Sequence, residues 1–149
     1  MGNMFSQEEP TKTITVWNGH LGPTVGFSAV QHLFKQDSDT WIIISTLPDT
    51  TEGQKCLIDR TTPCIREETL MNRIIANKQQ KDVCVIIYGR NHMDETVDKK
   101  WKQMRSMGFT RAHKYTGGMF EWLLLQDVYG KENFPTTSQA ADLLEFEPK

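Results

Sequence analysis

The sequence predicts a single α/β domain with a mostly parallel central sheet flanked by helices on both faces. Three observations carry that prediction. Strand-like and helix-like segments alternate at short intervals along the chain. The segment Lys81 to Tyr88 is apolar at both parities, as a strand covered on both faces must be, and this is the mark of a parallel sheet. Finally, 149 residues is the length of one ordinary domain, able to bury roughly 70% of the surface it exposes when unfolded.

Residues 1–25 are polar and irregular and read as a flexible arm, with a short strand expected at Thr13–Trp17. The domain is expected over residues 26–130. Ser28 precedes a two-turn amphipathic helix whose Val30, Leu33 and Phe34 share one face. Trp41–Ile44 is a β-branched apolar run between Asp39 and Pro48, hence a buried strand. A Pro, Asp, Thr and Gly loop over residues 48–54 leads to a short strand expected at Cys56–Ile58. Arg66–Asn77 is expected to be helical, with Leu70, Met71, Ile74 and Ile75 on its apolar face and Glu67 and Glu68 early, where the dipole favours acids. After the strand ending at Tyr88, a polar loop opens a helix over Glu95–Met107, with Val97, Trp101 and Met104 inward and Gly108 as a left-handed C-cap. Arg111–Tyr115 is a further strand, and Gly117-Gly118 turns the chain into an apolar helix over Phe120–Tyr129. That helix is apolar on nearly every side. Either it is a core helix covered by the tail over residues 131–149, with Leu143, Leu144 and Phe146 as the cover, or it presents a protein-binding patch.

Composition excludes several classes. Hydrophobic residues at 38% and charged residues at 24% are globular values. A net charge of −2 with no basic block argues against a nucleic-acid binder. The longest apolar run, Val83–Tyr88, is far short of the roughly 18 residues of a membrane span. The three cysteines, Cys56, Cys64 and Cys84, form no CxxC pair, and His20, His32, His92 and His113 form no ligand pair, so neither a disulfide framework nor a metal is expected, and no cofactor.

In a parallel sheet, ligands sit outside the carboxyl ends of strands, which directs attention to the loop after Tyr88. Backbone N–H groups and a helix N-terminus there can cradle an anion and hold a cysteine as a thiolate. Three segments carry a resemblance: Val85-Ile86-Ile87-Tyr88-Gly89-Arg90, then Met107-Gly108-Phe109, then Tyr115-Thr116-Gly117-Gly118-Met119-Phe120-Glu121-Trp122. Their order and spacing resemble the second half of a rhodanese-like domain, whose pattern is approximately V-V-Y-C-R-x-G-x-R-S, a helix, G-F, a short strand and G-G-x-x-x-W. The resemblance covers about residues 26–130. Trp41-Ile42-Ile43-Ile44 matches more loosely the strand that usually ends in an acidic residue and Arg, where this chain has Ser45-Thr46.

The resemblance implies a nucleophilic cysteine at the position of Gly89, which has no side chain to carry a persulfide. Arg90 keeps the family's arginine, either bonding carbonyls of its own loop or meeting a ligand or partner. The loop glycine becomes His92, and the second arginine becomes Asp94, with Glu95 beside it. Two carboxylates at the helix N-terminus satisfy the dipole internally and repel an incoming oxyanion. Gly89, Arg90, Asn91, His92, Met93, Asp94 and Glu95 thus read as a vestigial active-site loop, with no catalytic residue.

Met1-Gly2-Asn3-Met4-Phe5-Ser6 fits the N-myristoylation pattern, making Gly2 a candidate acylation site. A single acyl chain attaches only marginally, and Lys12 is the only Lys or Arg in the first 34 residues, so a protein partner or assembly would supply the second contribution. The sequence therefore predicts a cytoplasmic, non-catalytic binding or scaffold module, peripheral at the inner face of a membrane or at the internal membrane of a virion. The alternative is a sulfurtransferase or phosphatase-type enzyme using a non-standard nucleophile.

Overall fold

A computed structural model of the chain describes residues 23–36, 40–140 and 142–149. Gly2 and the strand expected at Thr13–Trp17 lie outside the described residues. The elements are β1 (Thr24–Val25), α1 (Phe27–Leu33), β2 (Trp41–Ser45), β3 (Thr61–Thr62), α2 (Cys64–Ala76), β4 (Cys84–Tyr88), α3 (Glu95–Ser106), β5 (Ala112–Tyr115), α4 (Gly118–Tyr129) and a 3-10 turn at Leu143–Phe146. The five strands form one sheet in the order β1-β5-β4-β2-β3, with every pairing between them parallel.

β4 lies centrally and pairs with β2 from Trp41↔Cys84 to Ser45↔Tyr88. All five of its residues are buried, because alternate side chains enter two separate cores. Ile43 and Ile86 pack on one face with Val30 and Leu33 of α1 and Met119, Trp122 and Leu123 of α4. Ile44, Val85 and Ile87 pack on the other with Met71 and Ile74 of α2 and Val97 and Met104 of α3. This three-layer arrangement agrees with the expected fold class. Gly108 is left-handed at φ +98° and ends α3, and the next residue, Phe109, is completely buried.

Two expectations are corrected. Cys56–Ile58 is not a strand of the sheet; the edge strand is Thr61–Thr62. Ile58 instead makes an isolated antiparallel bridge with Thr136, and Leu57 accepts from the Thr137 N–H at 2.8 Å. The apolar side chains there are buried beneath the C-terminal segment, and that burial leaves the same trace in sequence as a strand does. The division between arm and domain at residues 25 and 26 also shifts, because Thr24 and Val25 pair with Lys114 and Tyr115 as the other edge strand. A smaller difference is at α2, which begins at Cys64, with Pro63 as its N-cap, two residues before the expected start.

Tyr88 closes the first core. Its buried hydroxyl accepts from the Ile58 N–H at 3.0 Å and lies 2.9 Å from the Thr61 hydroxyl, tying the 56–61 loop to the end of β4. Burial pushes the Tyr88 phenol well above its ordinary pKa. Burial, and then the hydrogen bond from its hydroxyl to Glu121 Oε1 at 2.7 Å, does the same to Tyr115. Above about pH 10 the unfolded chain releases these two protons while the folded chain keeps them, so folding stability falls as pH rises. We expect absorbance at 295 nm to show Tyr88 and Tyr115 ionising together with loss of the circular dichroism signal; their ionisation in the folded protein at about pH 10 would refute this.

Candidate functional site

The loop over residues 89–94 leaves the carboxyl end of β4 between the ends of two neighbouring strands: Ser45 ends β2 and Thr46 follows it, and Thr116-Gly117-Gly118 follows β5. Its interior is filled by a side chain of its own. Asp94, the N-cap of α3, accepts the Arg90 N–H on Oδ2 at 3.0 Å. On Oδ1 it accepts the Thr96 N–H at 3.0 Å and the Thr96 hydroxyl at 2.5 Å. The Thr96 hydroxyl lies 2.8 Å from that of Thr46, which extends the network to the end of β2. A loop amide and the positive end of a helix, the two features that favour an anion, are thus both turned on an internal carboxylate.

Gly89 is enclosed by the same residues. A β-carbon built on it would lie 2.4 Å from Asp94 Oδ2, 2.7 Å from Thr46 Oγ1 and 2.7 Å from Val97 Cγ2, all well inside van der Waals contact. A side chain at this position therefore requires Asp94, Thr46 and Val97 to shift.

The double glycine ahead of α4 acts on this loop too. Gly118 has φ +67°, and a β-carbon there would lie 2.7 Å from the carbonyl oxygen of Gly89. This close approach lets the first amides of α4 serve the loop: the Met119 and Phe120 N–H groups donate to the carbonyls of Gly89 and Arg90, each at 2.9 Å.

Arg90 and Asn91 turn the other way, toward the C-terminal segment. The Arg90 guanidinium donates through Nη2 to the Glu145 carbonyl and lies 5.4 Å from the centroid of the Phe146 ring. Asn91 is buried at 8% exposure; its Oδ1 accepts the Met93 N–H at 2.9 Å and its Nδ2 donates to the Phe146 carbonyl at 2.7 Å. The Arg90 side chain takes neither of the two roles expected for it, bonding its own loop or meeting a ligand or partner, and binds the C-terminal segment of the same chain. His92, Met93 and Glu95 are exposed. His92 borders an open cleft of about 340 Å³ shared with Tyr115, Phe120 and Glu121. On α3, the half-exposed Asp98 carboxyl is held below its ordinary pKa by the Lys114 hydrogen bond and then by Lys102.

The structure thus brings Gly89, Arg90, Asn91 and Asp94 into one network and leaves His92, Met93 and Glu95 at its rim. Sequence reasoning noted Ser45-Thr46 only as a departure from the family pattern and did not place Thr46, Thr96 or Val97 at the loop, or Glu145 and Phe146 over it. Asp94 followed two residues later by Thr96 is a helix-start signal that could have pointed to part of this.

The cysteines lie elsewhere. Cys84 is at the far end of β4, roughly 16 Å of extended strand from Gly89. Burial pushes its thiol pKa up to about 12, against a smaller opposing effect of Arg111. Cys56 is buried and its Sγ donates to the Ser138 carbonyl at 3.3 Å. Partly exposed Cys64 is shifted upward by burial and then by Asp49 and Glu67. Among the described residues, no group of three or more His, Cys, Asp or Glu side chains could hold a metal ion, and no helix is long and apolar enough to cross a membrane.

No protein-family model matches the chain, and no curated protein sequence is similar to it. Solved structures do match. A full-length protein from Lactobacillus plantarum superposes with a TM-score of 0.57 at 13% identity, over 88% of this chain and 100% of that one. The BH2092 protein from Bacillus halodurans gives 0.55 at 15% identity, over 79% and 83%. The rhodanese-like domain of the Alr3790 protein from Anabaena sp. gives 0.53 at 18% identity, over 82% and 89%. At these identities the similarity is one of fold: a single α/β domain whose fold is like that of the Anabaena rhodanese-like domain.

Proposed function

We propose that this chain uses a rhodanese-like fold as a non-catalytic protein-binding module, a scaffold or adaptor held at the inner face of a membrane by acylation of Gly2. The observation that carries the reading is the enclosure of Gly89, where a β-carbon would meet Asp94, Thr46 and Val97 at 2.4 to 2.7 Å. Sulfur transfer and cysteine-dependent phosphate chemistry both need a thiolate at such a loop, with amides free to stabilise it. Here the Arg90 amide is bound by Asp94. The candidate thiols are buried or shifted toward the unreactive form.

The catalytic half is tested by thiosulfate-to-cyanide turnover and by hydrolysis of an aryl phosphate. Neither is expected above the rate of a heat-denatured control. Turnover by the wild-type chain that Cys84→Ser abolishes would overturn the non-catalytic reading.

The membrane half rests on the Met1-to-Ser6 pattern. Intact mass of the chain made in a eukaryotic cell is expected to show loss of Met1 and one myristoyl group, with Gly2→Ala unmodified. Retained Met1 or an unmodified Gly2 would remove the membrane tether and leave the binding-module reading standing.

A further inference from the structure

We infer that the mouth of the 89–94 loop is a peptide-binding site, at present filled by the chain's own C-terminal turn. Its partner ligand is a protein segment of the same chemistry: an Asp-capped aliphatic turn ending in an aromatic residue. The inference deepens the binding-module reading and rests on it.

The contacts are of a kind that any such peptide can make. Arg90 and Asn91 donate to two successive main-chain carbonyls, those of Glu145 and Phe146, and the guanidinium also meets the aromatic ring. Carbonyl recognition holds an extended or turning backbone, while the aromatic and aliphatic side chains select the sequence. Asp142 caps the turn by accepting the Leu144 N–H at 3.0 Å, and half-buried Leu143 and Phe146 pack against the domain core.

The C-terminal segment is held in two unequal parts. Residues 134–138 are anchored. Phe134 is buried against Trp122, Pro135 accepts from Trp122 Nε1 at 3.0 Å and from the Asp59 N–H at 3.0 Å, and Thr137 exchanges hydrogen bonds with Leu57. The turn at Leu143–Phe146 contains no buried residue, and Leu144 is 55% exposed. The turn touches α4, and an open cleft of about 690 Å³ runs beside that contact, lined by Leu123, Leu124, Leu143 and Leu144 among others. A segment with few buried contacts opens at lower free energy than the body to which it is attached. When the turn lifts away, the Asn91 amide and Arg90 lose their acceptors, so the vacated site favours a new segment that supplies carbonyl acceptors.

The test uses the full chain and a labelled synthetic peptide of residues 140–149. Tethering gives the resident turn an effective concentration on the order of millimolar, so the wild-type chain is expected to bind the peptide weakly. A full-length Leu143→Asp/Phe146→Asp chain, with its turn released, is expected to bind it at least about tenfold more tightly. Adding Arg90→Ala and Asn91→Ala is expected to abolish that gain. No gain in the released chain, or a gain that survives loss of Arg90 and Asn91, overturns the inference. A concentration-dependent dimer of the wild-type chain would assign the site to a second copy's tail and overturn the partner assignment.

Should the released chain fail to fold, hydrogen exchange of the wild type decides. The Leu144 and Glu147 amides in the turn are expected to exchange at least about 100-fold faster than those of Asp59 and Thr137, and equal protection overturns the inference. Sulfurtransferase turnover would count against the binding-module reading, whereas failed peptide binding without turnover counts against this site alone.

Discussion

Placing a cysteine at Gly89 is expected to destabilise the protein by about 2–4 kcal/mol and to produce no sulfurtransferase. Overpacking a filled site costs about 1–3 kcal/mol, and displacing the Asp94 carboxylate from its amide and hydroxyl donors adds on the order of 1 kcal/mol. The three atoms a β-carbon would meet cannot all move aside freely. Asp94 Oδ2 is tied to the Arg90 amide, and Val97 is β-branched and buried. The thiol would emerge beside the Asp94 carboxylate, whose like charge opposes a thiolate. Urea denaturation of Gly89→Cys checks the stability, and thiosulfate turnover checks the chemistry.

A double-mutant cycle locates the cause. Asp94→Ala alone removes an N-cap and is expected to cost about 1 kcal/mol. In that background the penalty of Gly89→Cys should shrink by at least about 0.5 kcal/mol, because its nearest obstacle has gone. Additive penalties would show that Asp94 is not what closes the position. A Gly89→Cys chain as stable as wild type and turning over thiosulfate would show that the cradle had only lost its sulfur.

Trp122→Ala is expected to be the most damaging single change, at about 3–5 kcal/mol from lost burial and the cavity left behind. Trp122 is completely buried in the core of the face that holds α1 and α4. Its ring meets Phe34, Tyr115 and Phe134 edge-on at centroid distances of 6.0, 6.1 and 5.0 Å. It therefore joins the end of α1, the carboxyl end of β5 and the C-terminal segment. Its Nε1–H also holds the Pro135 carbonyl. Trp122→Phe should recover part of the loss but leave the Pro135 carbonyl with the Asp59 N–H as its remaining donor. Val128→Ala, on the exposed side of the same helix, should change stability by less than about 0.5 kcal/mol. Thermal and urea unfolding compare the three variants; equal costs for Trp122→Ala and Val128→Ala would refute the central role of this ring.

How much could be read without coordinates depended on the range of the interactions. β4 was legible because five consecutive buried residues leave an unbroken apolar run. The inward faces of α2 and α3 were legible from Met71, Ile74, Val97 and Met104 at helical spacing. Gly108 announced its left-handed turn, and the absence of sulfur at position 89 needed only the letter. The two-residue edge strands β1 and β3 were not legible, since two residues carry no period and only their pairing to β5 and β2 defines them. Cys56–Ile58 looked like a strand because apolar periodicity reports burial without saying what provides it; its cover comes from residues 136 and 137.

The candidate site divides in the same way. By itself the chain's order of residues determined the alternating α/β architecture and the absence of a side chain at position 89, because both are properties of single positions or of neighbours a few residues apart. Only the folded structure decided that Asp94 fills the space beside Gly89, that Thr46 reaches it from another strand, and that Arg90 and Asn91 grip a turn 55 residues away. Those contacts are set by where the sheet and the C-terminal segment bring distant backbone together, and no local pattern of apolar and polar residues encodes such a meeting.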